Sequence, residues 1–146
     1  MDYDAVARNF LEQTLQFRKA KMNVDMFDYL KGEAFVLSFI DIHNGVVLPG
    51  DLVKEMNVSS ARIAATLNSL ENKGYVTRQI NPSNRRQILV EITLKGKDKA
   101  KEIRQEVLRR IAAVFRQLGE ENTKAAINLV NRLMEISPAF PKDESL

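Results

Sequence analysis

The stretch from Asn57 to Thr93 constrains the fold of this chain more than any other segment. It reads NVSSARIAATLNSLENKGYVTRQINPSNRRQILVEIT. Ser59 is a good helix N-cap, apolar residues then recur at helical spacing, and Gly74 is a glycine stop. Two segments of alternating apolar and polar residues follow, at 75–80 and 87–93, with turn-forming residues between them. The stretch therefore predicts a capped helix followed by a β-hairpin.

A short helix precedes this one at the spacing of a helix-turn-helix. Pro49 suits a first helical position, and Asp51 in the first turn complements the helix dipole. The helix runs to Met56, where Asn57 can take the left-handed conformation that ends it, and Ser59 starts the next helix. Helix, three-residue turn and helix form a helix-turn-helix. The outward residues of the second helix are small or polar, which suits entry into a DNA major groove: Ser60, Ala61, Arg62, Ala65, Asn68, Ser69 and Asn72.

Charge is concentrated behind this motif. Residues 73–101 hold eight Lys or Arg against two acidic residues, a local charge of +6, whereas the whole 146-residue chain carries +3. The asymmetry indicates a surface that faces a polyanion. For the lysines after the hairpin, an ordinary solvated helix face stands as the alternative. Those lysines are Lys95, Lys97, Lys99 and Lys101.

Apolar residues at helical spacing predict further helices at both ends of the chain. The first covers residues 2–22, and another is predicted at 30–43, where Asn44 and Gly45 end it. After the hairpin, one long helix ends at Gly119 and another ends before Ser137. These faces either pack on the chain's own core or exceed what one small lobe can cover.

Composition excludes several function classes. The chain has no cysteine and one histidine, so disulfides, thiolate chemistry and a His-rich metal site within one protomer are excluded, and no cofactor or metal is expected. No apolar run reaches the roughly 18 residues of a membrane span, and the N-terminus lacks a signal-peptide pattern. We expect a cytoplasmic protein that is not an enzyme, because the chain has no phosphate loop or nucleophile elbow.

The chain resembles the MarR family of winged-helix transcriptional regulators, most strongly from Leu52 to Ala100. The matching phrases are Leu-Glu-x-x-Gly at the end of the second helix (70–74), the arginine pair of the wing, and a Leu-Thr-x-x-Gly phrase, here 92–96 with Ile first. This chain departs from the family pattern in lacking basic residues at Ala65 and Ser69. It also has Asn84 where the wing usually has aspartate, and Leu48 where Ser or Thr often precedes the proline.

The resemblance implies a mainly α fold with a small β-hairpin wing. It implies one MarR-like chain, 1–146, with a winged helix-turn-helix DNA-binding lobe at 30–93 and dimerisation helices at 2–22 and 94–136. The expected partner is double-stranded DNA, bound by a homodimer at a near-palindrome, with repression as the expected direction. The dimerisation residues would be Val6, Phe10, Phe17, Ile111, Val114, Phe115, Val130 and Leu133.

Candidate site residues follow from the motif and the resemblance together. The predicted DNA-binding residues are Ser59, Ser60, Ala61, Arg62, Ala65, Asn68, Ser69, Arg85 and Arg86. Arg85 is the candidate for the minor groove, while Arg86 either touches DNA or braces the wing through a carboxylate. A small aromatic or anionic effector is a further candidate partner, in a pocket lined by Phe10, Phe35, Phe39 and His43, with ordinary core packing as the alternative for each. The alternative function is a winged-helix module that binds protein or RNA.

Overall fold

The computed structural model describes residues 1–19, 29 and 31–136, without the side chains of 17–19. The end of the predicted first helix, most of the connector at 23–29 and the tail lie outside the described residues. The chain forms two compact units, Met1–Val107 and the part from Leu108 onward. In chain order the elements are α1 (Tyr3–Lys19), α2 (Gly32–Ile42), β1 (Val46–Val47), α3 (Pro49–Met56), α4 (Ser60–Asn72), β2 (Val76–Asn81), β3 (Asn84–Ile92) and α5 (Leu94–Ile136). The described part is therefore mostly helical, with one small antiparallel sheet.

Local sequence signals set the turn between α3 and α4, as predicted. Asn57 has φ 48°, the left-handed conformation that ends α3. Ser59 is extended, and its Oγ accepts a hydrogen bond from the Arg62 backbone N–H at 3.3 Å. At the start of α3, the Asp51 carboxylate accepts a hydrogen bond from the Leu48 backbone N–H at 3.2 Å. This is one half of a capping box, and the half that a Ser or Thr side chain at position 48 would supply is missing. The predicted helix-turn-helix is confirmed.

The sheet has the strand order β1-β3-β2 and is antiparallel throughout. β1 is the β-prone link after α2, and it adds a third strand by pairing Val47 with Val90. The hairpin differs from the prediction because β2 and β3 approach within two residues of each other. The prediction that residues 81–86 form the connection was therefore wrong, because only Pro82 and Ser83 lie between the strands.

The core of the first unit lies between the helix-turn-helix, α2, the sheet and the start of α5. The helical spacing predicted the three buried positions of α4, Ile63, Leu67 and Leu70, each 1% exposed. A fully buried side chain of this size contributes about 1.5–3 kcal/mol. The remaining members of the core are Val36, Leu37, Ile40, Val47, Leu52, Val76, Val90, Ile92 and Ala100. This core fixes the position of α4 relative to the hairpin.

Three residues form the junction where the hairpin leads into α5. Thr93 Oγ1 donates to the Gly74 carbonyl at 2.7 Å and accepts from the Gly96 N–H at 3.0 Å. Gly74 has φ 73°, so it ends α4 in the left-handed conformation. A Cβ at Gly96 would lie 2.0 Å from the Tyr75 carbonyl oxygen. These contacts are the physical reason for the Leu-Glu-x-x-Gly and Thr-x-x-Gly phrases.

The terminal helices expose large apolar faces. Every side chain from Met1 to Gln16 is exposed, and Phe10 is 72% exposed. α5 is interrupted at Gly119, with φ 77° and ψ 169°, so the predicted helix end there is confirmed. In the described residues, no helix is both long and apolar enough to cross a membrane.

Candidate nucleic-acid interface

Helix α4 presents an exposed face that carries most of the predicted DNA-contacting residues. Because the core residues of α4 fix its rotation, the opposite face is left to solvent, and the exposed members are Ser59, Ser60, Ala61, Arg62, Ala65 and Asn68. Among the described residues, the Arg62 side chain has no ion pair or hydrogen bond. Thr66 donates its hydroxyl to the Arg62 carbonyl at 3.0 Å. Arg62 is therefore a free cation on a smooth helix surface.

Ser69 faces a neighbouring helix as well as solvent. It is half-buried, and its hydroxyl is near enough to Glu33 of α2 to affect the pKa of that carboxyl. Glu33 also pairs with Lys73, with Nζ to Oε2 at 2.6 Å. The hydrogen bond from Lys73 is the main cause that lowers the pKa of Glu33, and the nearby Ser69 hydroxyl adds to it. Ser69 is therefore the least exposed of the predicted base-facing residues.

The two wing arginines project from a bulge in β3. Ile80 lies opposite Ile88, and continuous register would place Asn81 opposite Gln87, but Asn81 lies opposite Asn84 instead. Arg85 and Arg86 fall in the extra residues of β3, where a bulge bends the strand and re-aims side chains. The Asn84 side chain accepts a hydrogen bond from the Arg86 backbone N–H at 3.2 Å. The bulge therefore replaces the loop tip that the sequence predicted.

Arg85 and Arg86 are both exposed, and neither side chain has a partner among the described residues. The carboxylate brace that was one alternative for Arg86 is thus not formed with any described residue. The arginine that approaches a carboxylate at the wing is Arg78, whose Nε lies 3.8 Å from Glu71 Oε2. Arg78 lies on the same strand face as the buried Val76.

The lysine run behind the wing divides into two groups. Lys95 Nζ lies 5.2 Å from the centroid of the Tyr75 ring and donates to the Lys73 carbonyl at 2.8 Å, so it caps the end of α4. Lys99 pairs with Glu102 at 3.0 Å. Lys97 and Lys101 are exposed and have no ion pair within the described residues. About half of the basic cluster is therefore engaged in the fold, which the count of charges did not reveal.

The four aromatic residues of the predicted ligand pocket do not form one group. Phe35, Phe39 and His43 stack along α2, with ring centroids 5.9 Å and 4.0 Å apart, and His43 Nδ1 is 2.7 Å from the Phe39 carbonyl oxygen. Phe10 lies on α1 and is 72% exposed, and the ring contacts of the described residues do not include it. The contacts of the stack are between residues four positions apart at the C-terminal end of α2.

A cavity of about 270 Å³ opens between α2 and α5, at residues that sequence reasoning missed. Its wall contains the Ser38 hydroxyl, which is buried and has no hydrogen-bond partner. The charged residues of the wall come from both helices, and within the described part of the chain they form no ion pair with each other: Asp41, Lys97, Asp98, Lys101 and Arg104. Three cations spaced at i, i+4 and i+7 on α5 were a usable sequence signal.

The predicted dimerisation residues are largely uncovered within one chain. Val6, Val130 and Leu133 are each at least half exposed, while Ile111, Val114 and Phe115 are half-buried. The Phe17 side chain lies outside the described residues. Large apolar side chains at this density on two helix faces are unusual for a monomer surface and typical of an interface.

A helix-turn-helix followed by an exposed basic hairpin defines the winged-helix class of DNA-binding proteins. The MarR family model matches residues 30–87. The chain is 24% identical over 140 residues to the HTH-type transcriptional regulator YwhA of Bacillus subtilis, covering 92% of this chain and all of YwhA. It is 25% identical over 127 residues to the transcriptional repressor YetL of the same organism, covering 82% of this chain and 76% of YetL. The structure of Streptococcus pneumoniae FabT in complex with DNA superimposes with a TM-score of 0.71 at 17% identity, covering 91% of this chain and 98% of FabT.

The family match covers the winged-helix lobe of this chain, and over most of its length the chain is similar to HTH-type transcriptional regulators. These similarities support a DNA-binding transcriptional regulator and indicate no enzymatic family.

Proposed function

We propose that this protein binds a near-palindromic operator as a homodimer, with α4 in the major groove and the wing in the adjacent minor groove. The observation that carries the proposal is the set of cations left without described partners on one lobe: Arg62 on α4, and Arg85 and Arg86 in the bulge of β3. Exposed, unpaired arginines carry the full electrostatic attraction for phosphates, whereas Lys73 and Lys99 are already neutralised by carboxylates.

Each predicted contact has a distinct role in the proposed complex. Ser59, Ser60 and the first amides of α4 hold a phosphate, because a helix N-terminus attracts anions. Arg62 reads a guanine edge, and Ala61 and Ala65 lie against thymine methyl groups. Arg85 enters a narrow A·T-rich minor groove. Asn68 completes the base-facing set, with the half-buried Ser69 at its edge, and Arg86 contacts backbone phosphate.

The dimer proposal divides the chain as the sequence suggested, with the lobe at 30–93 and the dimerisation helices at 2–22 and 94–136. It is supported by the exposed apolar faces of α1 and of the second unit. Two lobes then sit about one DNA turn, roughly 34 Å, apart. Sedimentation of Leu133→Glu should show dissociation, while the matched control Asn131→Glu, at an exposed polar position, should remain dimeric. Two variants that sediment alike would contradict this interface.

Binding is tested with a duplex selected by the wild-type protein from a random-sequence pool, and with a random duplex. Arg85→Ala should weaken binding to both and lower the salt slope by about one. Arg62→Ala should weaken the selected duplex more, relaxing preference at one base per half-site by about 1–3 kcal/mol. Arg8→Ala, at an exposed position on α1, is the control for loss of one arginine. An unchanged affinity and salt slope in Arg85→Ala would refute the wing assignment.

The alternative, a winged-helix module that binds RNA or protein, is separated by the same assay. Such a module gives no selected duplex sequence, and an RNA-binding version prefers an RNA duplex of equal length. We expect repression as the direction of regulation, which is supported by the similarity to the repressor YetL. A reporter gene placed behind the selected duplex should therefore become more active when the protein is removed.

Release by a small anionic effector is proposed at the cavity between α2 and α5. It is supported by the unpartnered hydroxyl of Ser38 and by three cations in the wall, Lys97, Lys101 and Arg104. Calorimetry with a panel of aromatic carboxylic acids should give heat with the wild type and less heat with Lys101→Met. No heat across the panel, together with unchanged DNA binding, would rule this regulation out.

A further inference from the structure

The side chain of Arg78 joins the wing to the recognition helix. It stands on β2 opposite Val90, and on the strand face that also carries the buried Val76. It is partly buried, with 28% of the side chain exposed. A cation in this position is unusual, because the other residues where the face meets the core are apolar and charged side chains are costly to bury.

The guanidinium reaches two points of α4. Nη2 donates to the Ala64 carbonyl at 3.4 Å, and Nε lies 3.8 Å from Glu71 Oε2. Ala64 and Glu71 are seven residues apart and therefore lie two turns apart on one helix stripe, with Asn68 between them. Arg78 therefore contacts α4 on both sides of Asn68, a candidate base-contacting residue.

Both contacts are loose. The distance of 3.4 Å is at the long end for a hydrogen bond, 3.8 Å is beyond it, and Nε is buried without a hydrogen-bond partner. An apolar side chain of similar length would fill this space without an unpaired N–H group, so packing alone does not require arginine here. The planar guanidinium group, a fork of several N–H groups, can attach to α4 at two points. Two points fix the orientation of β2 relative to α4 as well as their separation.

We propose that Arg78 is a positioning residue for DNA recognition: it sets the angle between α4 and the wing, so that Arg62 and Arg85 engage one DNA segment together. The proposal rests on the DNA-binding function proposed above. Arg78 acts through the wing and does not itself touch DNA. Its two contacts tighten when the wing is held in the minor groove.

A double-mutant cycle tests the proposal on the selected duplex. Arg78→Met keeps the length of the side chain and removes the fork, and it should weaken binding on the order of tenfold. Because the loss acts through the wing, Arg78→Met should have little further effect once Arg85→Ala has removed the wing contact. The control Arg8→Met removes an exposed arginine on α1, outside the wing and α4, and its effect should add to that of Arg85→Ala.

A direct phosphate contact by Arg78 gives the opposite pattern. The two losses would then be additive, and the salt slope of the double variant would fall by about one more than that of Arg85→Ala. That result would overturn the positioning role while leaving the DNA-binding function intact. If the wild type selects no duplex sequence, the proposed function itself fails.

A distance measurement without DNA tests independently whether Arg78 holds the wing at a fixed angle to α4. The chain has no cysteine, so Ser83→Cys on the wing turn and Asn72→Cys at the end of α4 place two spin labels, with excess unlabelled chain to isolate each pair. Arg78→Met should broaden the distance distribution, and Glu71→Gln should broaden it less. Arg78→Lys tests the fork if Arg78→Met fails to fold, because lysine keeps the charge and loses the two-point attachment. A distribution as narrow as that of the wild type in the folded variants would overturn the proposal.

Discussion

Gly96 should be the glycine of this chain that least tolerates a methyl group. It lies in the first turn of α5, where alanine normally stabilises a helix by about 1 kcal/mol relative to glycine. Here the added Cβ would meet the Tyr75 carbonyl oxygen at 2.0 Å and Ile92 Cγ1 at 2.7 Å. The carbonyl cannot move away freely, because it accepts the Thr93 backbone N–H at 2.9 Å. The contact must therefore be relieved by shifting α5 away from the hairpin.

The expected magnitude follows from these opposing effects. Overpacking a tight site costs typically about 1–3 kcal/mol, and contact with fixed backbone belongs at the upper end. After the gain in helix propensity, Gly96→Ala should lose about 2 kcal/mol of unfolding free energy. For a chain near 150 residues this lowers the midpoint of thermal unfolding by about 4–8 °C.

The assay is thermal unfolding followed by circular dichroism at a fixed protomer concentration, since dimerisation makes the midpoint depend on concentration. Gly50→Ala is the matched control. Gly50 also lies early in a helix, but nothing lies within 4 Å of its added Cβ and its φ is not positive. The control should be neutral or gain about 0.4–1 kcal/mol. Equal midpoints for the two variants would refute the reasoning about the junction.

Other predictions concern single hydrogen bonds and one ion pair. Ser59→Ala removes the cap of α4 and should cost about 1 kcal/mol in urea unfolding, with Ser59→Gly recovering most of it; an equal loss in both would argue against the capping role. Thr93→Val keeps the shape but loses both hydroxyl contacts at the junction, and we expect a loss of about 2 kcal/mol. The pKa of Glu33 is lowered in the folded chain. Its ion pair with Lys73 therefore stabilises the folded state at pH values above the unfolded pKa of about 4.3, and this stabilisation is lost as the pH falls through the pKa of the folded state. Since both side chains are exposed, Glu33→Gln should cost less than about 1 kcal/mol at pH 7, and the difference from wild type should vanish in acid; a difference that persists at low pH would exclude this pair as its source.

The sequence by itself determined the features that depend on a few neighbouring residues. The left-handed Asn57, the cap at Ser59, and the stops at Gly74 and Gly119 were all readable, because each reflects the backbone preference or hydrogen bonding of one residue within its own turn. The buried face of α4 followed from helical spacing for the same reason. The family resemblance added the arrangement of these pieces into a winged helix.

Only the tertiary structure decided what happens between segments distant in sequence. Arg78 faces α4 instead of solvent because the strand face it shares with Val76 packs there. Arg85 and Arg86 leave the sheet through a bulge in β3, which depends on how that strand pairs with β2. Lys95 donates to the Lys73 carbonyl 22 residues earlier in the chain, which separates it from the lysines that stay exposed. Charge and periodicity predict which residues could contact DNA. The packing of helices and strands across the core determines which of those residues have no partner within the protein.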